Sequence, residues 1–166
     1  HQCDRRQRQM CIRDRGNNTT ASSNYAVALG TGTTANGNSA FAIGNSTTAS
    51  GNNSTALGNN TTASDFGSLV IGQFNSSGSS ATSAGSYNSE NTAFVIGNGT
   101  GSGNLSDAFK VMFNGDTYIS SSLYLGGTAI TSSAAELNLL DGSSAGTIVN
   151  SKGVIYGASG EVLSLI

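Results

Sequence analysis

Proline and tryptophan do not occur in this chain, and from residue 16 onward neither do cysteine, histidine or arginine. Nucleophilic triads and zinc centres draw on His or Cys, so the body of the chain lacks the parts for either. Cys3 and Cys11 are too far apart for a Cys-x-x-Cys pair, and no later cysteine or histidine completes a metal site. Charge is scarce as well: only 10% of residues are charged, and residues 16–166 hold two lysines against seven acids, a net charge of −5. That balance argues against a nucleic-acid partner. No apolar run approaches the roughly 18 residues that span a bilayer, so no membrane span is expected in this fragment.

Ser, Thr, Asn and Gly fill about half of the sequence in place of the missing types. Such a mixture is compatible with a disordered low-complexity tract. Register argues for order instead. Gly30, Gly44, Gly58 and Gly72 recur every 14 residues, and Thr19-Thr20-Ala21 recurs with the same step at Thr33-Thr34-Ala35, Thr47-Thr48-Ala49 and Thr61-Thr62-Ala63. Two landmarks sharing one period identify a repeat protein.

Each period divides into two halves. Before each glycine stands a small–large alternation: Ala26-Val27-Ala28-Leu29, Ala40-Phe41-Ala42-Ile43, Ser54-Thr55-Ala56-Leu57 and Ser68-Leu69-Val70-Ile71. Alternation of period two bounded by Gly and Asn predicts a strand. The Thr-Thr-Ala half predicts a second, shorter extended segment. Fourteen residues cannot hold a crossover helix, so two short strands and two tight turns per unit, stacked in parallel, predict an all-β solenoid. Small alternate residues suit a narrow interior. The other face, with Val27, Leu29, Phe41, Ile43, Leu57, Leu69 and Ile71, requires a covering surface, which points to self-association.

The units Asn24-Tyr25-Ala26-Val27-Ala28-Leu29-Gly30 and Asn38-Ser39-Ala40-Phe41-Ala42-Ile43-Gly44, each followed by Thr and Ala after a turn, resemble the head repeats of YadA-like trimeric autotransporter adhesins. The resemblance covers residues 17–97. It implies a left-handed parallel β-roll with one 14-residue coil per repeat and a homotrimeric fibre. It also implies an extracellular place on a bacterial cell surface, where the fibre binds a host-cell receptor, matrix or glycan. Gly30, Gly44, Gly58, Gly72 and Gly97 are then structural repeat glycines, with no catalytic, cofactor or metal residue and no cofactor.

Residues 73–90 break the phase before Ala93-Phe94-Val95-Ile96-Gly97 restores the glycine landmark, one period plus an 11-residue insertion after Gly72. An insertion in a repeat maps to a loop, either a tolerated surface loop or a binding one. Residues 98–105 form a Gly/Ser-rich joint, and 106–166 a fibre-like β segment. In that segment Ala108–Phe113 meets Thr117–Ser120 across Asn114-Gly115-Asp116 as a hairpin, and Ser122–Gly127 and Thr128–Thr131 continue as short strands. Ser133 with Glu136 three residues on is a capping box, predicting one connector helix over 133–140 that stops at Asp141-Gly142. Further strands are predicted at 147–149, 154–156 and 162–166, and an ending inside an apolar strand suggests truncation at the C-terminus.

Residues 106–160 also resemble segments of bacteriophage tail fibres, through Ala108-Phe109-Lys110-Val111, Asn114-Gly115-Asp116, Leu125-Gly126-Gly127-Thr128 and the run Ile130-Thr131-Ser132-Ser133-Ala134-Ala135-Glu136-Leu137-Asn138-Leu139-Leu140-Asp141-Gly142. That likeness implies a virion tail as the alternative location and host-receptor binding as the alternative role. A fibre-borne polysaccharide hydrolase is the second alternative, since Asp65, Glu90, Asp107, Asp116, Glu136, Asp141 and Glu161 could supply a carboxylate pair. Asp107, Asp116 and Asp141 stand beside turn or cap residues, however, and the expectation is no enzyme. Gly99-x-Gly101-x-Gly103 lacks the lysine and strand-to-helix setting of a phosphate loop. The Asn-x-Ser/Thr triplets read as turn chemistry.

Residues 1–15 are of different composition, with five of the seven basic residues, both cysteines and the only histidine. They lack the apolar centre of a secretory signal and the aromatic interleaving of a nucleic-acid arm. The string QRQMCIRDR resembles translated adapter sequence at the ends of conceptual translations, and 1–15 is expected to be a non-native leader.

Overall fold

The structure is a computed structural model that describes residues 13–139, 141 and 152. Its chain forms two compact units, the first ending at Ser121 and the second beginning at Ser122.

The first unit is a β-solenoid of about four turns, built from two kinds of strand in alternation. Five-residue strands β1 (Arg13–Asn17), β3 (Val27–Thr31), β5 (Phe41–Asn45), β7 (Thr55–Asn59) and β9 (Leu69–Gln73) stack in parallel. Two-residue strands β2 (Thr20–Ala21), β4 (Thr34–Ala35), β6 (Thr48–Ala49) and β8 (Thr62–Ala63) form the facing four-stranded sheet. Every pairing keeps the 14-residue step, as in Phe41↔Thr55, Ile43↔Leu57 and Gly44↔Gly58. The corners keep it too. Left-handed φ angles recur at Asn18, Gly32, Ser46, Asn60 and Phe74, and again at Tyr25, Ser39, Asn53 and Gly67. Two such reversals per coil turn a chain of ordinary β residues back on itself without a helix.

Strand β1 lies across the composition break. Arg13, Asp14 and Arg15 pair with Val27, Ala28 and Leu29, and Gly16 pairs with Gly30. Cys3, Cys11 and the other residues before Arg13 lie outside the described residues.

The core between the two sheets is made almost wholly of alanine. Ala26, Ala28, Ala35, Ala40, Ala42, Ala49, Ala56 and Ala63 are fully buried, joined at one end by Val70 and Val95. Thr33, Thr47 and Thr61 face the same interior, and their hydroxyls have no hydrogen-bond partner. A roll this narrow admits little more than a methyl from most facing residues and at most a threonine or valine, which explains why the alternate positions are small.

Beyond β9 the sheet continues with β10 (Thr92–Asn98), parallel to β9 with Gly97 opposite Gly72. Pairing then reverses: β11 (Asp107–Met112) and β12 (Thr117–Ile119) add antiparallel strands, completing an eight-stranded sheet. The first unit therefore runs through the Gly/Ser-rich joint at 98–105, because β11 folds back along β10. Gly115, at a φ of 95°, closes the β11–β12 hairpin where the sequence predicts it.

In the second unit β13 (Tyr124–Leu125) and β14 (Thr128–Ala129) form a two-stranded hairpin across Gly126-Gly127, both with positive φ. Helix α1 (Ala134–Asn138) follows with both halves of its capping box made: Ser133 Oγ accepts from the Glu136 N–H at 3.2 Å, and the Ser133 N–H donates to Glu136 Oε2 at 2.7 Å. The Ser133 N–H and the Ser133 hydroxyl, which donates to the same Oε2 at 2.8 Å, hold the Glu136 carboxyl below the usual glutamate range. Leu140, Gly142 and the strands predicted at 147–149, 154–156 and 162–166 lie outside the described residues.

Candidate functional site

The outer face of the long sheet carries apolar side chains in register. The register places Val27, Phe41, Thr55, Leu69 and Phe94 in one line and Leu29, Ile43, Leu57, Ile71 and Ile96 in the next. Phe41 is 42% exposed, and Ile43 and Leu69 each 37%. Side chains of this kind on the convex side of a solenoid are uncovered surface, whereas the alanines one residue away are sealed. Phe94 and Phe109 meet edge to face with centroids 6.1 Å apart, so the two lines run on into β11.

The glycine row makes this stacking possible. Gly30, Gly44, Gly58, Gly72 and Gly97 are register partners, and the first three have φ of 128–135°. A Cβ on Gly44 would fall less than 3.0 Å from the Gly58 carbonyl oxygen, a distance that real Cβ atoms do not show. Gly16 occupies the same row, as its position 14 residues before Gly30 indicates. A second row escaped the sequence reading: a Cβ on Gly37 would meet the backbone of Gly51, and one on Gly51 the backbone of Asp65. The signal was the Gly37–Gly51 spacing, hidden because Asp65 replaces the third glycine.

Asp65 marks the point at which the coils stop being copied. The insertion begins before another coil can stack on that corner, so a Cβ is admissible there, and the carboxylate is put to use. Asp65 Oδ1 accepts from the Thr82 N–H at 2.6 Å and Oδ2 from the Thr92 N–H at 2.8 Å. Asn75 stands 14 residues after Thr61, where a fifth Thr-Thr-Ala segment would start. Its amide replaces a strand: Oδ1 accepts from the Thr62 N–H at 2.8 Å and Nδ2 donates to the Thr62 carbonyl at 2.9 Å. Asp107 fixes the next turn, accepting from the N–H and hydroxyl of Ser76 and from the N–H of Ser77. The insertion is thus laid along the coil edge, with Phe66 N–H on the Ser83 carbonyl and Asn52 N–H on that of Ala84.

Of the remaining candidate carboxylates, Asp116 and Glu136 have local structural duties, and Glu161 lies outside the described residues. Asp116 is bonded within its own turn to Asn114, and Glu136 caps α1. Among the described residues no group of three or more His, Cys, Asp or Glu could hold a metal ion, and no helix is long and apolar enough to cross a membrane.

Residues 16–33, 35–61 and 49–74, the stretch that forms the stacked coils, match a family model described as YadA head domain repeat (2 copies). These coils are similar to YadA head domain repeats. YadA-like adhesins are extracellular, surface-exposed fibres and in general not enzymes, and the YadA family is trimeric. The YadA head repeats end at residue 74, so the insertion, the β11–β12 hairpin and the second unit lie outside the match. No curated protein and no solved structure matches the chain. The comparisons lend no support to a virion tail as the location.

Proposed function

We propose that this chain is part of a non-enzymatic adhesive fibre, assembled as a homotrimer, that binds a host-cell receptor, matrix or glycan at a bacterial cell surface. The observation that carries the reading is the coincidence of YadA head repeats with a continuous half-exposed apolar face from Val27 to Ile96. Covering a few hundred Å² of that face per chain contributes several kcal/mol at about 25 cal/mol per Å², before the cost of association. Three copies that present the same columns in the same register can cover one another along a common axis. The repeat glycines Gly30, Gly44, Gly58, Gly72 and Gly97 act structurally in this scheme, keeping the coils close enough to form the face.

Light scattering coupled to size exclusion on the 166-residue chain tests the assembly, with a trimer expected at tens of micromolar. A stable, folded monomer at that concentration overturns it. Adhesion is tested by retention of the trimer on cultured cells and on immobilised matrix, against a version carrying Phe41→Ser and Ile43→Ser. Loss of trimer and retention together is expected, and a trimer that is retained on none of these surfaces contradicts the adhesive role.

A further inference from the structure

One column of register partners can be followed strand by strand: Ala28, Ala42, Ala56, Val70 and Val95 inside the roll, then Lys110 and the half-exposed Tyr118 at its end. The first five are fully buried. At β11 the column changes from methyl-sized groups to a lysine and a tyrosine, and the facing short sheet has by then ended at Asn75. A large pair on one wall and no strand on the other leave an opening at this end of the roll. It is a cleft of about 380 Å³ lined by Ser76, Ser77, Ser106, Asp107, Lys110, Tyr118 and Ser120, with Leu105 at its side.

Lys110 is the only cationic residue between Gly16 and Ser151. Its ammonium stands 4.1 Å from the centroid of the Tyr118 ring, and among the described residues it pairs with no carboxylate. The ring holds the charge in place from one side and satisfies none of its three N–H donors. Asp107, only 8% exposed, lines the same cleft but is turned to Ser76 and Ser77, from which its oxygens accept three bonds, and it makes no ion pair with Lys110. Four serines and a tyrosine line the cleft with the ammonium; the Ser76 and Ser106 hydroxyls, which donate to Asp107 and Asn98, can still accept, and Ser77 and Ser120 bring two further hydroxyls. A volume near the lower end of small-ligand sites suits a single sugar ring.

We propose that this cleft binds an acidic sugar residue, its carboxylate on the Lys110 ammonium and its ring hydroxyls on the serine hydroxyls. The proposal rests on the adhesive reading for its biological sense, but the cleft chemistry stands on its own geometry. An acidic peptide would present a carboxylate without the ring hydroxyls that a serine-lined wall can serve, so the saccharide is the better match.

Titration calorimetry on the full 166-residue chain tests it with four probes: methyl β-D-glucuronide, the neutral methyl β-D-glucoside, sodium sulfate and the acidic dipeptide N-acetyl-Ala-Glu-amide. The glucuronide is expected to bind at least about tenfold more tightly than each of the others. Lys110→Gln should abolish that preference and Lys110→Arg should restore most of it, with melting temperatures confirming that both variants fold. Equal affinity for glucoside and glucuronide, binding of sulfate or the dipeptide as tight as the glucuronide, or retention of the preference in Lys110→Gln each overturns the proposal. No binding by any probe overturns it as well. Retention on cell or matrix surfaces, measured in parallel, keeps the two readings apart: a chain that adheres yet ignores glucuronide refutes the cleft alone, and one that binds glucuronide yet adheres nowhere refutes the adhesive role alone.

Discussion

The coils up to residue 74 and the segment from 75 to 121 belong to one compact unit, yet they are held together by different means. In the coils the same few backbone bonds are repeated at every step, such as Thr34 N–H to the Thr47 carbonyl and Thr48 N–H to that of Thr61, each at 2.8 Å. Side chains there supply mainly size: alanine inside, glycine where backbones touch. From residue 75 onward the 14-residue step is lost, β10 alone keeping the register of the long sheet, and individual side chains take over the work of a missing coil. Asn75 satisfies the Thr62 backbone groups that the next repeat would otherwise have paired, while Asp65 and Asp107 accept from amides of the insertion and of β10. Repetition solves the hydrogen-bonding problem once for every coil, whereas an ending has to solve it residue by residue.

The difference predicts graded responses to mutation. Gly44→Val should have the largest effect, since a side chain there meets the Gly58 carbonyl and demands a φ of 135°; a loss of ~3 kcal/mol or more is expected, read from urea unfolding. Asp65→Asn leaves one acceptor where the carboxylate offers two, so either Thr82 or Thr92 loses its partner. A loss of about 1–3 kcal/mol is expected, with faster hydrogen exchange at the released amide and little change in the coils before residue 50. Faster exchange spread evenly along all coils would show that repeat and ending are not separable. Thr47→Val should cost nothing or stabilise by up to about 1 kcal/mol, because it removes a buried hydroxyl that has no partner while keeping the shape.

The smallest effect is expected in the second unit. The Glu136 carboxyl is held below its ordinary range by the bonds from Ser133, so its contribution to the α1 cap is present above the unfolded glutamate pKa and is lost as pH falls through the lowered value. The Ser133 amide resonance should titrate with that carboxyl and lose its pH dependence in Glu136→Gln. An unchanged titration in the variant would assign it to another group.

Legibility in the sequence followed the same division. Strands, register, small interior and exposed apolar face could all be read from the period, because each position appears several times and its constraint shows as a recurring residue type. Gly16 and the Gly37–Gly51 row obeyed the period as well and were passed over, the first because it abuts a foreign-looking leader and the second because Asp65 ends it. The β11–β12 hairpin and the capping box of α1 were readable from local turn and cap chemistry alone. What could not be read was that 98–105 does not end the unit, or that Asp65, Asn75 and Asp107 hold the insertion. Those roles depend on which backbone amides come within reach after folding, and a single Asp among serines carries no mark of it. The Lys110–Tyr118 pairing was out of reach too, although Lys110's isolation among acids was visible from the first.

The uniform register of the glycine row has a genetic consequence. Excising residues 45–58 would join Gly44 directly to Asn59, and Gly37 and Asn38 would then occupy the places of Gly51 and Asn52 beneath the insertion. Every stacked pair would be exchanged for an equivalent one, so the shortened chain should fold with the same ending. Recombination between neighbouring repeats in the gene can therefore change the length of the roll in whole-coil increments while leaving the cleft beyond its last coil untouched.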